Sequence, residues 1–198
     1  MKRKIQSILF LILTIVSLNN CYAQEQSIDE QKKEIIAVYN SNNIVEAYNM
    51  ISKIMEEDRD YELWYILANI SQDMNNEENA IFFLEKSIIL KPDFDKAHYN
   101  LGNIYLKNNK YNSAINEYKL AIKYKKDYPF YYYNLGCAYY KQKEYKYARS
   151  AFKKAVSLKN NEPNFYYNLA LVNKKLDKIK DAQEALDKYN ELTREEDL

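Results

Sequence analysis

The sequence is poor in the residues that make turns. Its 198 residues include only two glycines and three prolines. An all-β fold needs a turn about every 8–12 residues, and glycine and proline supply many of those turns. Hydrophobic residues make up 47% of the chain, the usual share for a globular protein, which argues against wholesale disorder. The composition therefore predicts a folded protein that is not all-β.

Histidine and cysteine are also scarce. His98 is the single histidine, and Cys21 and Cys137 are the two cysteines. A zinc site of the Cys/His type needs several such ligands, and Ser–His–Asp or Cys–His catalysis needs a histidine placed as a base. The sequence has no glycine-rich phosphate loop, and the paired carboxylates at 56–57 and 195–196 lie in polar connections. We therefore predict no metal, no cofactor and no enzymatic activity.

The first 23 residues have the pattern of an export signal. Basic residues at positions 2–4 precede an apolar run of 11 residues, Ile8 to Leu18, and small residues then stand at Cys21 and Ala23. Crossing a bilayer takes about 20 apolar residues, so the run is too short for a permanent anchor. We expect cleavage after Ala23 and a periplasmic or secreted mature chain.

A second route of processing is open at Cys21. The segment Leu18-Asn19-Asn20-Cys21 resembles a bacterial lipoprotein box, although the residue before that cysteine is usually Gly, Ala or Ser. Lipidation of Cys21 would make the protein a membrane-anchored lipoprotein, which is the one membrane association that the sequence suggests. Cleavage after Ala23 would instead leave Cys137 without a partner for an internal disulfide.

Charge is segregated along the mature chain. Residues 24–92 carry 6 basic and 14 acidic side chains, a net charge of −8. Residues 93–180 carry 18 and 7, or +11, and residues 181–198 carry 2 and 7, or −5. Such segregation of charge affects how charged partners approach the protein, and it does not indicate the fold.

Several columns of similar residues recur every 34 positions. The only two glycines are 34 apart, and each follows an Asn-Leu pair. Agreement of independent columns on one period identifies a true internal repeat. The columns include Tyr65, Tyr99, Tyr133 and Tyr167, then Leu67, Leu101, Leu135 and Leu169, and finally Ala80, Ala114, Ala148 and Ala182.

The sequence pattern of each repeat predicts two amphipathic helices. One stripe of residues at helical spacing is followed by a polar break, as at 107–110, and then by a second stripe. We expect Gly or Ala at 68, 102, 136 and 170 to face the alanine column and to let the two helices approach closely. In one repeat the stripes are His98, Leu101, Gly102 and Tyr105, then Tyr111, Ala114, Tyr118 and Ala121.

These stripes resemble the signature of the tetratricopeptide repeat, Trp-x-x-Leu-Gly-x-x-Tyr, followed by Ala-x-x-x-Phe and Pro. The resemblance implies an all-α fold in which helix–turn–helix repeats stack into a right-handed superhelical solenoid. Together with the export pattern, the resemblance divides the chain into a signal peptide at 1–23, a degenerate first repeat at 24–60, and repeats at 61–94, 95–128, 129–162 and 163–198.

The resemblance also implies a concave groove lined by the first helices. We expect the tyrosine column to lie in this groove, because it stands one residue past the packed column of Trp64, His98, Tyr132 and Tyr166. The alternative is that these tyrosines only stack on one another. The predicted groove residues are Tyr65, Asn69, Tyr99, Asn103, Leu106, Tyr133, Cys137, Tyr140, Tyr167 and Leu171.

Three lysines, Lys107, Lys141 and Lys175, also recur at the period of 34. They could form a basic ridge for an acidic partner. Equally, each stands in the last turn of a first helix, where a cation complements the helix dipole. We expect no binding of nucleic acid, because the lysines are spread around the helices and not gathered on one face.

Two functions follow as hypotheses. The first is a non-enzymatic interaction module of the cell envelope that binds a peptide or protein in the groove. The second is a structural subunit of an envelope complex that acts through end-to-end stacking or docking of repeats. We expect a monomer or a weak oligomer.

Processing of the N-terminal segment can be tested by mass. We expect the intact mass of the exported protein to correspond to a chain that begins at Gln24, or at a lipidated Cys21. A mass that retains residues 1–18 would contradict the prediction of an export signal.

Overall fold

The computed structural model describes residues 28–196, which form ten helices and no strand. A short 3₁₀ turn, Glu56–Asp58, separates the second helix from the third. The helices are α1 (28–40), α2 (Ile44–Ser52), α3 (Tyr61–Asp73), α4 (Glu77–Leu90), α5 (Asp95–Lys107), α6 (Tyr111–Tyr124), α7 (Pro129–Lys141), α8 (Tyr145–Leu158), α9 (Pro163–Lys175) and α10 (Ile179–Glu196).

The turn inside each repeat has a residue other than glycine in a conformation that glycine commonly adopts, and in three of the five turns this residue is asparagine. Each turn has one residue with φ between 55° and 66°, the left-handed conformation that commonly ends a helix. Asparagine and aspartate tolerate this conformation better than other non-glycine residues, so the chain closes its repeats with almost no glycine. These residues are Asn42, Asn75, Asn109, Lys143 and Asp177.

Helix starts follow local rules. Asp60 caps α3, and its side chain accepts hydrogen bonds from the backbone N–H groups of Glu62 and Leu63, both at 3.0 Å. Pro129 and Pro163 begin α7 and α9, where a missing N–H costs nothing. The first helices therefore begin in different ways, because Phe94, Tyr128 and Glu162 stand in the place of Asp60 and make no side-chain cap.

The helices pack as consecutive antiparallel pairs, and each second helix also packs on the first helix of the next repeat. Direct contacts also link α5 to α7 and α7 to α9, whereas the second helices make no comparable contact with one another in the described part of the chain. The first helices therefore lie on the inner side of the array. The result is the all-helical solenoid that the sequence predicts.

Small residues on the first helix meet aromatic rings of the second helix. A Cβ added at Gly102 would lie 2.7 Å from Cε1 of Tyr118, and one at Gly136 would lie 2.6 Å from Cε1 of Phe152. Both rings are fully buried. The sequence predicts such a close approach with aromatic rings around the small residues, and Tyr118 and Phe152 supply these rings at the two glycines.

The size of the small first-helix residue and the size of the second-helix residue that packs against it change together from repeat to repeat. Glycine at this place accompanies an aromatic residue, Tyr118 or Phe152, sixteen positions later. Alanine accompanies leucine, as in Ala68 with Leu84, which belong to one buried cluster. Since interiors are close-packed, one added methyl group requires a smaller partner. The last repeat has the alanine–leucine combination as well.

The N-terminal repeat differs from the others in its second half. Its second helix, α2, has only nine residues, but Ala47, Ile51 and Ile54 are buried as the second-helix stripe predicts, with Ile44 half-buried. The signal segment 1–23 lies outside the described residues. Between residues 28 and 196, no helix has the length and apolar character required to cross a membrane.

The glycine–ring contact can be tested with a pair of substitutions. Gly136→Ala should destabilise the protein by about 1–3 kcal/mol, because the new methyl group collides with a buried ring. Adding Phe152→Leu recreates the alanine–leucine combination and should recover part of the loss. Thermal unfolding followed by circular dichroism measures both. If the two substitutions cost simply additive amounts, the proposed steric coupling is wrong.

Candidate functional site

The predicted tyrosine column lies on the inner side of the array, but most of its members are half-buried. Tyr65, Tyr99 and Tyr133 are partly covered by the following repeat, whereas Tyr167 in the last repeat is 44% exposed. The other predicted groove residues, Asn69, Asn103, Leu106, Cys137, Tyr140 and Leu171, are half-buried too. The column is therefore neither core nor freely exposed surface.

Asparagines of the next repeat bind the tyrosine hydroxyls. Each asparagine donates from Nδ2 to the hydroxyl oxygen of the tyrosine 35 residues earlier in the chain. The pairs are Asn100 with Tyr65 at 3.3 Å, Asn134 with Tyr99 at 3.0 Å, and Asn168 with Tyr133 at 2.8 Å. We call this series of inter-repeat hydrogen bonds the Tyr–Asn ladder.

A second row of amides extends the ladder. Asn100 also donates to Oδ1 of Asn69 at 2.7 Å, and Asn134 donates to Oδ1 of Asn103 at 2.8 Å. The buried Tyr118 hydroxyl donates to the same Asn103 oxygen at 2.9 Å. Half-buried amides need such partners, since an unsatisfied polar group inside a protein is costly. The asparagines therefore satisfy one another across the repeats.

Cys137 takes the asparagine's place in the next rung. Burial raises the pKa of its thiol to about 11, although the neighbouring Tyr133 acts in the opposite direction. A thiol with such a pKa is protonated at neutral pH and is a poor nucleophile. Cys137 is therefore a packing residue of the groove floor and not a reactive one.

The rings of the column pack against aromatic residues of the following repeat. Tyr65 contacts Phe94 edge-on at 5.0 Å, and Tyr99 lies 4.9 Å from Tyr131. Tyr133 stacks on Phe165, also at 4.9 Å. Among the described residues, the tyrosines of the column therefore pack on these other rings and not on one another, and their partly exposed edges lie on the inner side of the array.

The electrostatic environment keeps these phenols neutral. Burial raises the pKa of the Tyr65 and Tyr99 hydroxyls above the ordinary value, although their asparagine partners act in the opposite direction. Burial also raises the pKa of Tyr133. The inner surface therefore presents uncharged rings and amides, which suit contact with peptide backbone and apolar side chains.

The three recurring lysines differ in their contacts. Lys107 forms an ion pair with Glu77 of the preceding repeat, so its charge is partly compensated. Lys141 and Lys175 are exposed, and no ion pair of either is found in residues 28–196. Lys107, Lys141 and Lys175 all stand in the last turn of their helices.

His98 is a core residue, as its column predicts. Nδ1 lies 2.7 Å from Oε2 of Glu117, and Nε2 lies 2.9 Å from the carbonyl oxygen of Pro92. Burial lowers the pKa of His98, but these two acceptors outweigh it, and the net shift of the pKa is upward. Both ring nitrogens are engaged, so His98 is not placed to act as a catalytic base.

The packed column that contains His98 is not uniformly buried. Trp64 and His98 are 3% and 4% exposed, whereas Tyr132 and Tyr166 are only half-buried. The hydroxyls of Tyr132 and Tyr166 donate to the carbonyl oxygens of residues 126 and 160, near the surface. The expectation that this whole column is buried was therefore wrong for its last two members, because the phenol extends to a backbone acceptor at the edge.

Sequence reasoning missed two polar contacts between repeats. The buried Tyr131 donates to Oδ2 of Asp95 at 2.6 Å. Arg149 donates to Oδ1 of buried Asn173 at 2.6 Å and to Oδ2 of Asp181 at 2.5 Å. Asn173 replaces the tyrosine of the repeat signature, and that departure was the available signal. Among the described residues, no group of three or more His, Cys, Asp or Glu side chains could hold a metal ion.

Family comparisons match most of the chain. Models of the tetratricopeptide repeat match residues 61–94, 83–116, 129–162 and 163–196, and a model described as TPR repeat matches residues 102–143. Together they extend from residue 61 to residue 196 without a gap. The chain is built from tetratricopeptide repeats. The first, degenerate repeat lies outside all five matches.

Solved structures share the fold at low sequence identity. The MamA RS-1 ArsTM double mutant is 23% identical, with a TM-score of 0.77 over 86% of this chain and 96% of that one. MamA 41-end from Desulfovibrio magneticus RS-1 is also 23% identical, with a TM-score of 0.76 over 86% and 97% of the two chains. No curated protein matches the sequence significantly.

The Tyr–Asn ladder should contribute to stability. Asn134→Ala removes two inter-repeat hydrogen bonds and should cost about 1–3 kcal/mol. The exposed Asn116→Ala on α6 is a matched control and should change stability by less than about 0.5 kcal/mol. Urea unfolding measures the free energy of unfolding of both variants. Tyr99→Phe, Asn134→Ala and the double variant then form a double-mutant cycle, which gives the coupling energy between the two side chains. Strictly additive effects in that cycle would contradict the ladder.

Proposed function

We propose that this chain is a non-enzymatic protein-interaction scaffold that binds an extended peptide or protein segment along the inner surface of its first helices. The observation that supports this most strongly is the regular row of tyrosine rings that the Tyr–Asn ladder holds in one orientation. A surface whose side chains are already ordered loses less entropy when a partner binds. Tyrosine also combines a large apolar ring with a polar hydroxyl.

The charge of the surface favours a partner with an acidic segment. The end of α3 carries Asp73, whereas the ends of α7 and α9 carry exposed lysines, Lys141, Lys174 and Lys175. Opposite charge steers association and sets the orientation of a bound chain more than it adds affinity. We therefore place the acidic part of the partner over the last two repeats, with the neutral part over the tyrosine rows.

The mature chain would act in the cell envelope. This proposal is based on the export pattern of residues 1–23, with lipidation at Cys21 as the alternative, and both lie outside the described residues. Binding of nucleic acid is not part of the proposal, because the basic residues follow the helix ends and not one continuous face.

An assembly role through end-to-end stacking is the second candidate, and charge counts against it. The segment 24–60 carries 4 basic and 9 acidic residues, and the segment 181–198 carries 2 and 7, so both have a net charge of −5. Ends of like charge repel when they approach. Docking into a larger complex through another face remains compatible with the same scaffold.

A matched pair of leucine variants tests the groove. Leu106→Glu puts a charge on the inner surface, whereas Leu90→Glu puts the same charge on α4 at a residue that is 54% exposed. We expect partners captured from envelope extracts by the mature chain to bind Leu106→Glu at least about tenfold more weakly, because the carboxylate must be desolvated there. Leu90→Glu should bind normally.

Folding and binding must be separated in this experiment. Circular dichroism and the melting temperature of each variant show whether the helices remain intact. If Leu106→Glu folds and captures the same proteins with unchanged affinity, the inner surface is not the binding surface and the proposal is wrong. Binding that weakens at higher salt would indicate that the exposed lysines contribute to the affinity for the partner.

A further inference from the structure

The C-terminal end of the solenoid has an open apolar socket between α9 and α10. The socket is a cleft of about 340 Å³. Two of its side chains are unusually exposed for apolar residues, Ile179 at 66% and Leu186 at 36%. We call it the terminal socket, and its apolar lining consists of Tyr167, Ala170, Leu171, Ile179, Ala182 and Leu186.

The same positions are covered at every earlier junction between full repeats. Leu84, Tyr118 and Phe152 occupy the place of Leu186 in their repeats and are 0%, 0% and 1% exposed. In each case the first helix of the next repeat packs over them. The terminal socket is therefore an interface of known type that lacks its covering helix in residues 28–196.

The floor of the terminal socket matches one earlier junction residue for residue. Ala170, Ala182 and Leu186 correspond to Ala68, Ala80 and Leu84, which lie 102 positions earlier. That earlier socket is filled by α5, whose Ala97, Leu101 and Ile104 complete the same buried cluster. A helix with the α5 pattern therefore fits the terminal socket by volume.

Two wall residues of the terminal socket are more apolar than their counterparts, and two others are polar. Leu171 stands where the earlier repeat has Asn69, and Ile179 stands where it has Glu77. Lys174 and Gln183 also line the socket, in the places of Gln72 and Ile81. The leucine and the isoleucine add apolar area that a covering helix would remove from water, which is the driving force for such packing.

The Tyr–Asn ladder also ends at this socket. Tyr65, Tyr99 and Tyr133 each accept a hydrogen bond from an asparagine of the next first helix. Tyr167 is the next tyrosine of the column, and its hydroxyl has no such asparagine within residues 28–196. The ring of Tyr167 contacts the ring of Tyr189, with 5.4 Å between the ring centroids, but Tyr189 does not line the socket.

We propose that the terminal socket binds an amphipathic helix of a partner protein that carries the pattern of α5. In that pattern a small residue is followed by Asn-Leu and then by an aliphatic residue, Ala-x-x-Asn-Leu-x-x-Ile, as in 97–104. The apolar residues fill the socket, and the asparagine donates to the hydroxyl of Tyr167. This surface adjoins the inner groove, with which it shares Tyr167 and Leu171, and it binds a helix in place of an extended segment.

A second copy of this chain is a poorer occupant. Its free first helix would be α1, and Asn-Leu pairs occur in the sequence only at 100–101, 134–135 and 168–169. Both terminal segments, 24–60 and 181–198, also carry a net charge of −5. An incoming α1 would therefore neither complete the ladder nor match the charge of the end that it approaches.

The probe is a labelled peptide with the sequence of residues 95–108, acetylated and amidated at its ends. Fluorescence anisotropy during titration with the full mature chain measures its affinity. We expect saturable 1:1 binding with a Kd of about 10–100 μM, since an isolated helix this short is mostly unfolded and must be ordered on binding. A peptide with Leu101→Asp should not bind detectably.

Two isoleucine variants of the protein locate the site. Ile179→Asp puts a carboxylate in the socket, and Ile89→Asp puts one on α4, where the isoleucine is 73% exposed. We expect the first to weaken peptide binding at least about tenfold and the second to leave it unchanged. Both residues are exposed, so both variants should fold normally.

The ladder contact is tested by a double-mutant cycle. Tyr167→Phe in the protein and Asn100→Ala in the peptide should each weaken binding about three- to tenfold, and their combination should weaken it no further than the stronger single change. Additive effects would show that the asparagine does not reach Tyr167, and the proposed register would be wrong.

Three outcomes would overturn the proposal. One is the absence of saturable binding up to about 1 mM protein, which corresponds to a negligible affinity. Another is binding that Ile179→Asp leaves unchanged, since the peptide would then occupy a different surface. The third is self-association of the mature chain in sedimentation velocity that Ile179→Asp abolishes, which would make a second copy the occupant. None of these outcomes bears on the inner groove tested with Leu106→Glu.

Discussion

The whole structure depends on one packing constraint: a repeat buries its large second-helix side chain only when the first helix of the next repeat covers it. Leu84, Tyr118 and Phe152 are fully buried in this way, whereas Leu186 is not. No single central core exists in residues 28–196, because four hydrophobic clusters follow one another along the array. Stability is therefore carried by contacts between neighbours, as in other quasi-one-dimensional proteins.

That constraint ties the inner surface to the stability of the array. The tyrosines that line it also fasten successive repeats, through ring contacts with the next first helix and through the Tyr–Asn ladder. A residue such as Tyr99, in contact with Tyr131 and hydrogen-bonded to Asn134, cannot reorient freely when a partner arrives. The inner surface consequently presents ring edges and amides whose positions the contacts between repeats already fix.

The ends of such an array differ from its middle for the same physical reason. An interior repeat has a neighbour on both sides, whereas the last repeat of residues 28–196 has a described neighbour on one side only. Terminal repeats usually place polar residues there. In this chain Tyr189 covers part of that side, yet Leu171, Ile179 and Leu186 still line an apolar cleft. Apolar surface that is concave and retained at an array end is a characteristic of interaction sites.

The period of 34 residues in the sequence was enough to predict the helical pairs, the repeats between 61 and 196, and the side chains that share a face, because helical periodicity follows from local backbone geometry. It could not show that Gly136 meets the ring of Phe152, that Asn134 binds Tyr99, or that Glu117 and Pro92 hold His98. Those contacts depend on how side chains from different helices are directed and spaced in three dimensions. Likewise, Leu186 occupies the repeat position of Leu84, and the tertiary structure shows that only Leu84 is fully buried, since burial requires a neighbouring helix and not merely a suitable residue.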